Sequence, residues 1–191
     1  MPPSCPRRWR SRGHLPHIDA PGLLQSVTFH LGDSLPAAAL RRLLAETEDD
    51  DAERLRRIER LLDAGHGACH LARPHIATLV EDALLHFDEQ RYRLVAWVVM
   101  PNHVHLLSET LPGYPLAGVV QGWKSFTAKE ANCLLGRTGP FWARDYYDRY
   151  IRDDHHLAAV VRYIERNPVK AGLVAEPEDW PFGSARRRVK P

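Results

Sequence analysis

Two histidines one residue apart, His103 and His105, interrupt the apolar stretch VAWVVMPNHVHLLSET at residues 95–110. In a strand, residues i and i+2 point the same way. Both imidazoles therefore project from one face, close enough for one metal ion, while Val104 and Leu106 point into the core. A polar group in an apolar strand costs stability unless it is partnered. With 11 histidines in the chain, pairs such as His155-His156 also arise by chance, and paired surface histidines are the plainer reading. The second stretch is DDHHLAAVVRYIERNPVKAGLV, residues 153–174. At about 100° per residue, Leu157, Val160, Val161 and Ile164 form one apolar stripe, and Tyr163 and Asn167 share its edge. Alone, Tyr163 reads as a core-edge tyrosine, and Asn167 as a cap where the chain leaves the helix at Pro168. Together the two stretches describe more. Two imidazoles and an amide oxygen could hold a divalent cation that polarises a phosphate, and the phenol could attack phosphorus to form a covalent intermediate. No base adjoins Tyr163 in sequence except Glu165, which points elsewhere on the helix.

The elements that must position these groups follow from periodicity. LLQSVTFHL (23–31) reads as a first strand. A helix begins after Ser34 and Pro36 and runs through Leu40, Leu43 and Leu44. Beyond an acidic stretch, Leu55, Ile58, Leu61 and Leu62 continue a helical stripe that Gly65 stops. GHGACHLARP is a loop. From Pro74, Ile76, Leu79, Val80, Ala83, Leu84 and Phe87 mark an amphipathic helix. RYRLVAWVVM and HVHLLS are antiparallel strands joined by a tight turn at Pro101-Asn102. Leu116, Val119, Val120, Trp123, Phe126 and Leu134 mark another helix, with Trp123 in the core. DYYDRYI alternates as a short strand, with Tyr146 and Tyr150 on one face and Tyr147 on the other. Asp153 caps a last helix that Pro168 and Gly172 close. The order predicts an α+β, ferredoxin-like split βαβ antiparallel sheet with helices packed on one face.

The chain has 191 residues, enough for one domain with a proper core. Residues 1–20 read as a flexible basic leader, 21–184 as the domain and 185–191 as a basic tail. The longest apolar run, Leu94–Met100, is far short of the ~20 residues that span a bilayer, and no secretory signal is evident. Three scattered cysteines form neither a disulfide framework nor a metal knuckle, so a cytoplasmic setting is expected. Net charge is only +2. The basic ends, Arg7 to Arg12 and Arg186 to Lys190, could hold a polyanion or could be solvated.

These stretches resemble a known family. WVVMPNHVHLL is similar to the His-hydrophobic-His motif of the HUH single-tyrosine, IS200-like transposases. FWARDYYDRYIRDD and RYIERNPVKAGLV…EDWPFGSA resemble the branch called REP-associated tyrosine transposases, over roughly Gln25 to Ser184. The resemblance implies Mg²⁺- or Mn²⁺-dependent cleavage and rejoining of single-stranded DNA, with a tyrosine linked to the 5′ phosphate and a 3′ hydroxyl released. Carried over, His103 and His105 match the metal-ligand histidines, Tyr163 the nucleophile and Asn167 the third ligand; Tyr147 is second choice as nucleophile. It implies hairpin DNA of the repetitive extragenic palindrome type as partner, a monomer or homodimer, and a nucleoid-associated place in the cytoplasm. Candidate DNA contacts are Lys124, on the exposed side of its helix, with Arg144, Arg149, Arg152, Arg186, Arg187 and Arg188. A domesticated, non-cutting DNA-binding module and an unrelated metal hydrolase are the alternatives. The acidic 46–63 segment departs from a compact domain of this type and has no assigned role beyond a helical cover.

Overall fold

The computed structural model describes residues 8–11, 16–19, 22–47 and 51–189. Its centre is a four-stranded antiparallel sheet of β3 (Leu24–His30), β4 (Tyr92–Val99), β5 (His103–Thr110) and β6 (Tyr147–Tyr150), ordered β4-β5-β3-β6. β4 and β5 form the expected hairpin, its turn closed by the Met100 N–H donating to the His103 carbonyl at 2.9 Å. β3 lies on the other side of β5, so the chain from β3 to β4 must cross over β5, and the chain from β5 to β6 must cross over β3. That is the split βαβ arrangement the alternation predicted.

The crossover helices α3 (Pro74–Leu85) and α4 (Leu116–Leu134) cover one face. Proline at the first position of α3 needs no amide partner there and pre-sets the helical φ. The stripes from Ile76 to Leu84 and from Leu116 to Trp123 bury against Val27, Phe29, Leu31, Trp97, Val99, Val104 and Leu106. Polar tips inside this layer are paired: Trp123 Nε1 donates to the Tyr92 hydroxyl at 2.9 Å, which donates to the Leu84 carbonyl at 2.7 Å.

Helices were expected on one face only; they cover both. Helix α5 (Asp154–Lys170) packs its stripe on the opposite side, where Ile164 meets Ala96, Val98, Met100 and Leu107. Both faces of β4 and β5 are apolar, so each needs a cover. Asp153 caps α5 as expected, accepting from the His156 N–H at 2.7 Å. The helix does not end at Asn167, however. It continues through a buried Pro168 to Lys170 and stops before Gly172, whose φ is +69°. Buried packing around Ile164, Asn167 and Pro168 outweighs the local cost of proline.

Helices α1 (Ala37–Glu46) and α2 (Asp51–Asp63) form their own apolar cluster of Leu35, Leu43, Ile58 and Leu62, against Tyr147 of β6. Two acids of this segment are matched: Glu46 and Glu53 pair with Arg42, Arg56 and Arg57 at 2.6–3.0 Å. Exposed pairs of this kind contribute little each.

Both ends differ from expectation. Within the leader, β1 (Arg8–Ser11) and β2 (Pro16–Asp19) pair as an antiparallel hairpin; residues 1–7, 12–15 and 20–21, with Arg7 and Arg12, lie outside the described residues, as does Lys190. The segment read as a basic tail begins as a short helix, α6 (Ser184–Val189). The DWPFGSA stretch before it extends the free edge of β4, with the Val99 N–H donating to the Phe182 carbonyl at 2.9 Å and Trp180 Nε1 to the Val99 carbonyl at 3.0 Å. An open strand edge is thereby covered. Among the described residues no helix is long and apolar enough to cross a membrane.

Candidate active site

The β3–β5 register sets Thr28 opposite His105 and His30 opposite His103, all pointing to the face that carries α5. His103 and His105 are almost wholly buried. Asn102 Nδ2 donates to the Leu62 and His66 carbonyls, both at 3.1 Å, so its Oδ1 is the acceptor for His103 Nδ1 at 2.7 Å. That fixes the tautomer: the proton of neutral His103 sits on Nδ1, and Nε2 offers a lone pair. His105 Nδ1 lies 2.7 Å from the Thr28 hydroxyl, which can donate or accept. The two Nε2 atoms face each other at 3.0 Å. Burial holds both rings neutral: His105 is pushed down to about 3, chiefly by desolvation and then by Lys170, and His103 well below the usual imidazole range for the same first reason, with His105, His30 and Lys170 adding to it.

Helix α5 brings Tyr163 against this pair, its ring centroid 5.5 Å from that of His105 at 72°. Asn167, one turn on, is fully buried, and both its amide atoms lack a hydrogen-bond partner. Tyr163 Oη is also buried beside the Asn167 amide and the Glu59 carboxyl, without a well-formed hydrogen bond to either. Burial first, then the negative charges of Glu59 and Asp63, push the phenol far above its ordinary range. The phenol is thus a protonated, poor nucleophile until a positive charge arrives. Tyr163, Glu59, Thr28, Tyr147, Arg149 and His156 line one cleft of about 260 Å³. A larger groove, about 710 Å³, lies between α3 and α4 among Leu79, Phe87, Tyr114, Val119 and Phe126, on the other side of the sheet from His103 and His105.

The donor set suits a small divalent cation. Two buried imidazole Nε2 atoms 3.0 Å apart match the spacing of neighbouring ligands on an ion with bonds of about 2.1 Å, once the proton between them is displaced. The unsatisfied Asn167 amide supplies an oxygen at the same face. The Nδ1 partners Asn102 and Thr28 hold the rings, as outer partners of metal-bound histidines do.

His103, His105, Tyr163 and Asn167 are therefore brought together on one face, Asn167 from within α5 and not as its cap. Tyr147 shares the cleft but stacks on His30, centroids 6.3 Å apart and interplanar angle 22°, and burial pushes its phenol up to about 12. The cationic candidates divide. Lys124 is not on an exposed side: its ammonium is buried and donates to the Arg144 carbonyl at 2.8 Å, because α4 turns that side toward the segment before β6. Arg149 and Arg152 are exposed on the β6 side, Arg149 at the cleft, and Arg144 is exposed nearby. Arg187 and Arg188 sit at the opposite sheet edge and are held by Glu81 at 3.4 Å and Glu165 at 2.8 Å, with Arg186 exposed beside them. Glu165, so engaged, faces away from Tyr163.

Sequence reasoning missed Thr28, Glu59, Asn102, Asp63 and Lys170. Asp63 ends α2, with Oδ2 on Lys170 Nζ at 2.6 Å and Oδ1 4.0 Å from His103 Nε2. Asn102 adjoins the histidines and was open to notice. Glu59 and Asp63 lie about forty residues earlier, on a helix whose placement no local signal gives.

Residues 74–167 match the model of the IS200-like transposase family. The matched stretch runs from the first residue of α3 to Asn167 and leaves out α2 and β3. The chain is 34% identical over 110 residues to a putative REP-associated tyrosine transposase of Haemophilus influenzae, covering 52% of this chain and 62% of that protein. It is 30% identical over 107 residues to a REP-associated tyrosine transposase of Escherichia coli, covering 53% and 59%. The chain thus aligns with about three fifths of the length of these curated relatives. A solved REP-associated tyrosine transposase bound to a REP hairpin shares the fold at a TM-score of 0.59 and 22% identity, over 93% of this chain and 86% of that one.

Proposed function

We propose that this chain, whose residues 74–167 match the model of the IS200-like transposase family, is a cation-dependent single-strand DNA endonuclease and strand transferase that works through Tyr163. The observation that carries the reading is the burial, on one face, of a phenol, two facing imidazole Nε2 atoms and an unsatisfied amide. His103, His105 and Asn167 would hold Mg²⁺ or Mn²⁺, which supplies Lewis acidity to a bound phosphodiester. The chain's own groups do the rest. Asn102 and Thr28 keep the imidazoles aimed. Tyr163 Oη attacks phosphorus, the bond from phosphorus to the 3′ oxygen breaks, and the phenolic proton passes to Glu59. Burial raises the affinity of the Glu59 carboxyl for a proton, which makes it a better base. The 3′ oxygen leaves with a proton from water, and the 5′ phosphate stays on Tyr163. Attack by another 3′ hydroxyl, whose proton passes to water, reverses the sequence, with Glu59 returning its proton to the departing phenol.

Hairpin DNA is the proposed substrate, supported by the solved relative bound to a REP hairpin. Arg149 at the cleft, with Arg152 and Arg144, is placed to meet backbone phosphates; affinity should then fall steeply with salt. The test is a labelled hairpin oligonucleotide incubated with protein and Mn²⁺ and resolved under denaturing conditions. Wild type should give a protein–DNA adduct, and Tyr163→Phe should bind without forming one. An adduct from Tyr163→Phe would move the nucleophile elsewhere, Tyr147 first. Binding without any wild-type adduct would establish the non-cutting alternative.

A further inference from the structure

We propose that Asp63, delivered by α2 from outside the segment that matches the family, is a further ligand to the cation held by His103, His105 and Asn167. The inference rests on the cation-dependent reading above and extends it to a residue that neither the comparisons nor the sequence motifs single out. Asp63 is 14% exposed, and its two oxygens fare differently. Oδ2 accepts from Lys170 at 2.6 Å. Oδ1 is buried with no hydrogen-bond partner, 4.0 Å from the His103 Nε2 lone pair. A buried carboxylate oxygen left unpaired is costly, and so is a buried amide with both atoms unpaired, as at Asn167. The two imidazole nitrogens, the Asn167 amide oxygen and the carboxylate oxygen can all be met at once by a compact positive charge at their common face. Separations of 3.0 and 4.0 Å from His103 Nε2 suit a neighbouring and a more opposed ligand on an ion with bonds of about 2.1 Å. Asp63 Oδ1 stands farther out than the imidazole pair, and among the described residues no three histidine, cysteine or carboxylate side chains already close on one point.

The carboxylate is held in place from both sides. Lys170 on α5 grips one oxygen. Asn102 ties the end of α2 to the β4–β5 turn through the Leu62 and His66 carbonyls flanking Asp63. The same Asn102 orients His103, so helix end and imidazole are set by one side chain. Chemically, the addition matters. Two imidazoles and an amide are neutral and leave a dication uncompensated in a buried site. A carboxylate cancels one charge and adds a hard oxygen, shifting preference toward Mn²⁺ and Mg²⁺.

The test is Mn²⁺ binding by the intact protein without DNA, followed by electron paramagnetic resonance of free Mn²⁺ and by calorimetry, with apo-protein melting recorded alongside. Asp63→Asn should weaken Mn²⁺ at least 10–100-fold, the loss seen when even outer partners of metal ligands are removed. Asp63→Glu should stay within a few-fold of wild type, and a failure to bind by a folded Asp63→Glu would count against ligation. If Asp63 merely anchors Lys170, Asp63→Asn and Lys170→Ala will lower the melting temperature alike and neither will move Mn²⁺ affinity; that result overturns the proposal. His105→Ala separates the two layers of the argument. Lost binding in His105→Ala with unchanged binding in Asp63→Asn defeats the Asp63 ligand alone, whereas no binding by wild type, or full binding by His105→Ala, defeats the cation-dependent reading and Asp63 with it.

Discussion

Replacing His105 with glutamine should flatten the acid limb of this protein's stability. Inside the fold His105 takes a proton only near pH 3, because burial first and Lys170 second disfavour the charged ring. In the unfolded chain the same ring takes one at about 6.5. Between those values the unfolded state holds more protons, so unfolding free energy rises with pH and is lost as pH falls. One such histidine costs about 1.4 kcal/mol per pH unit, or on the order of 2 kcal/mol between neutral pH and pH 5. His103 acts in the same direction through burial, His105, His30 and Lys170, and buried His30 adds to it. Glu59 opposes them, since its raised affinity for a proton favours the folded state as acid is added. The assay is urea denaturation at pH 7.5, 6.5, 5.5 and 5.0 in chelator. Wild type should lose stability steadily below pH 6.5, and His105→Gln should lose roughly 2 kcal/mol less by pH 5, whatever its stability at neutral pH. Equal slopes for the two proteins, or a wild type as stable at pH 5 as at 7.5, would refute the claim that the imidazole is held neutral by burial.

Asn102→Ala removes two bonds to the end of α2 and one to His103; denaturation should show a loss of about 1–3 kcal/mol, and Mn²⁺ titration a tenfold or greater weakening. Glu59→Gln should slow adduct formation by about 10²–10⁴ while leaving hairpin binding, measured by anisotropy, nearly unchanged. Arg149→Ala should weaken hairpin binding and reduce the slope of log affinity against log salt by about 1. Arg188→Ala, whose guanidinium is already used on Glu165 and on the Val95 carbonyl, should instead lower the melting temperature with the salt slope unchanged.

What was legible in the sequence is what local periodicity controls. The β4–β5 hairpin, the stripe of α3 and the cap at Asp153 each announce themselves within a dozen residues, and the alternation placing Tyr147 opposite Tyr146 and Tyr150 matches the β6 register. His103 and His105 were legible because polar side chains stood at strand spacing in an apolar run. Three things were not. Pro168 reads as a helix end, and only tertiary packing carries α5 past it. Lys124 looks exposed on a helical wheel, but the backbone it bonds at Arg144 is twenty residues away. Glu59 and Asp63 look like ordinary surface acids of a charged helix. The roles proposed for them depend on where that helix docks, which the apolar contacts of Ile58 and Leu62 decide.

The dual use of Asn102 couples the docking of α2 to the aim of His103. Until α2 docks, no carbonyls engage its amide nitrogen, the side chain is free to turn, and the ring of His103 loses its guide. A chain with α2 undocked would keep Tyr163 but lose the contact that orients His103. On the proposed reading, the cleavage site is complete only when α2 is docked, so loosening that one helix would silence the chemistry without touching Tyr163.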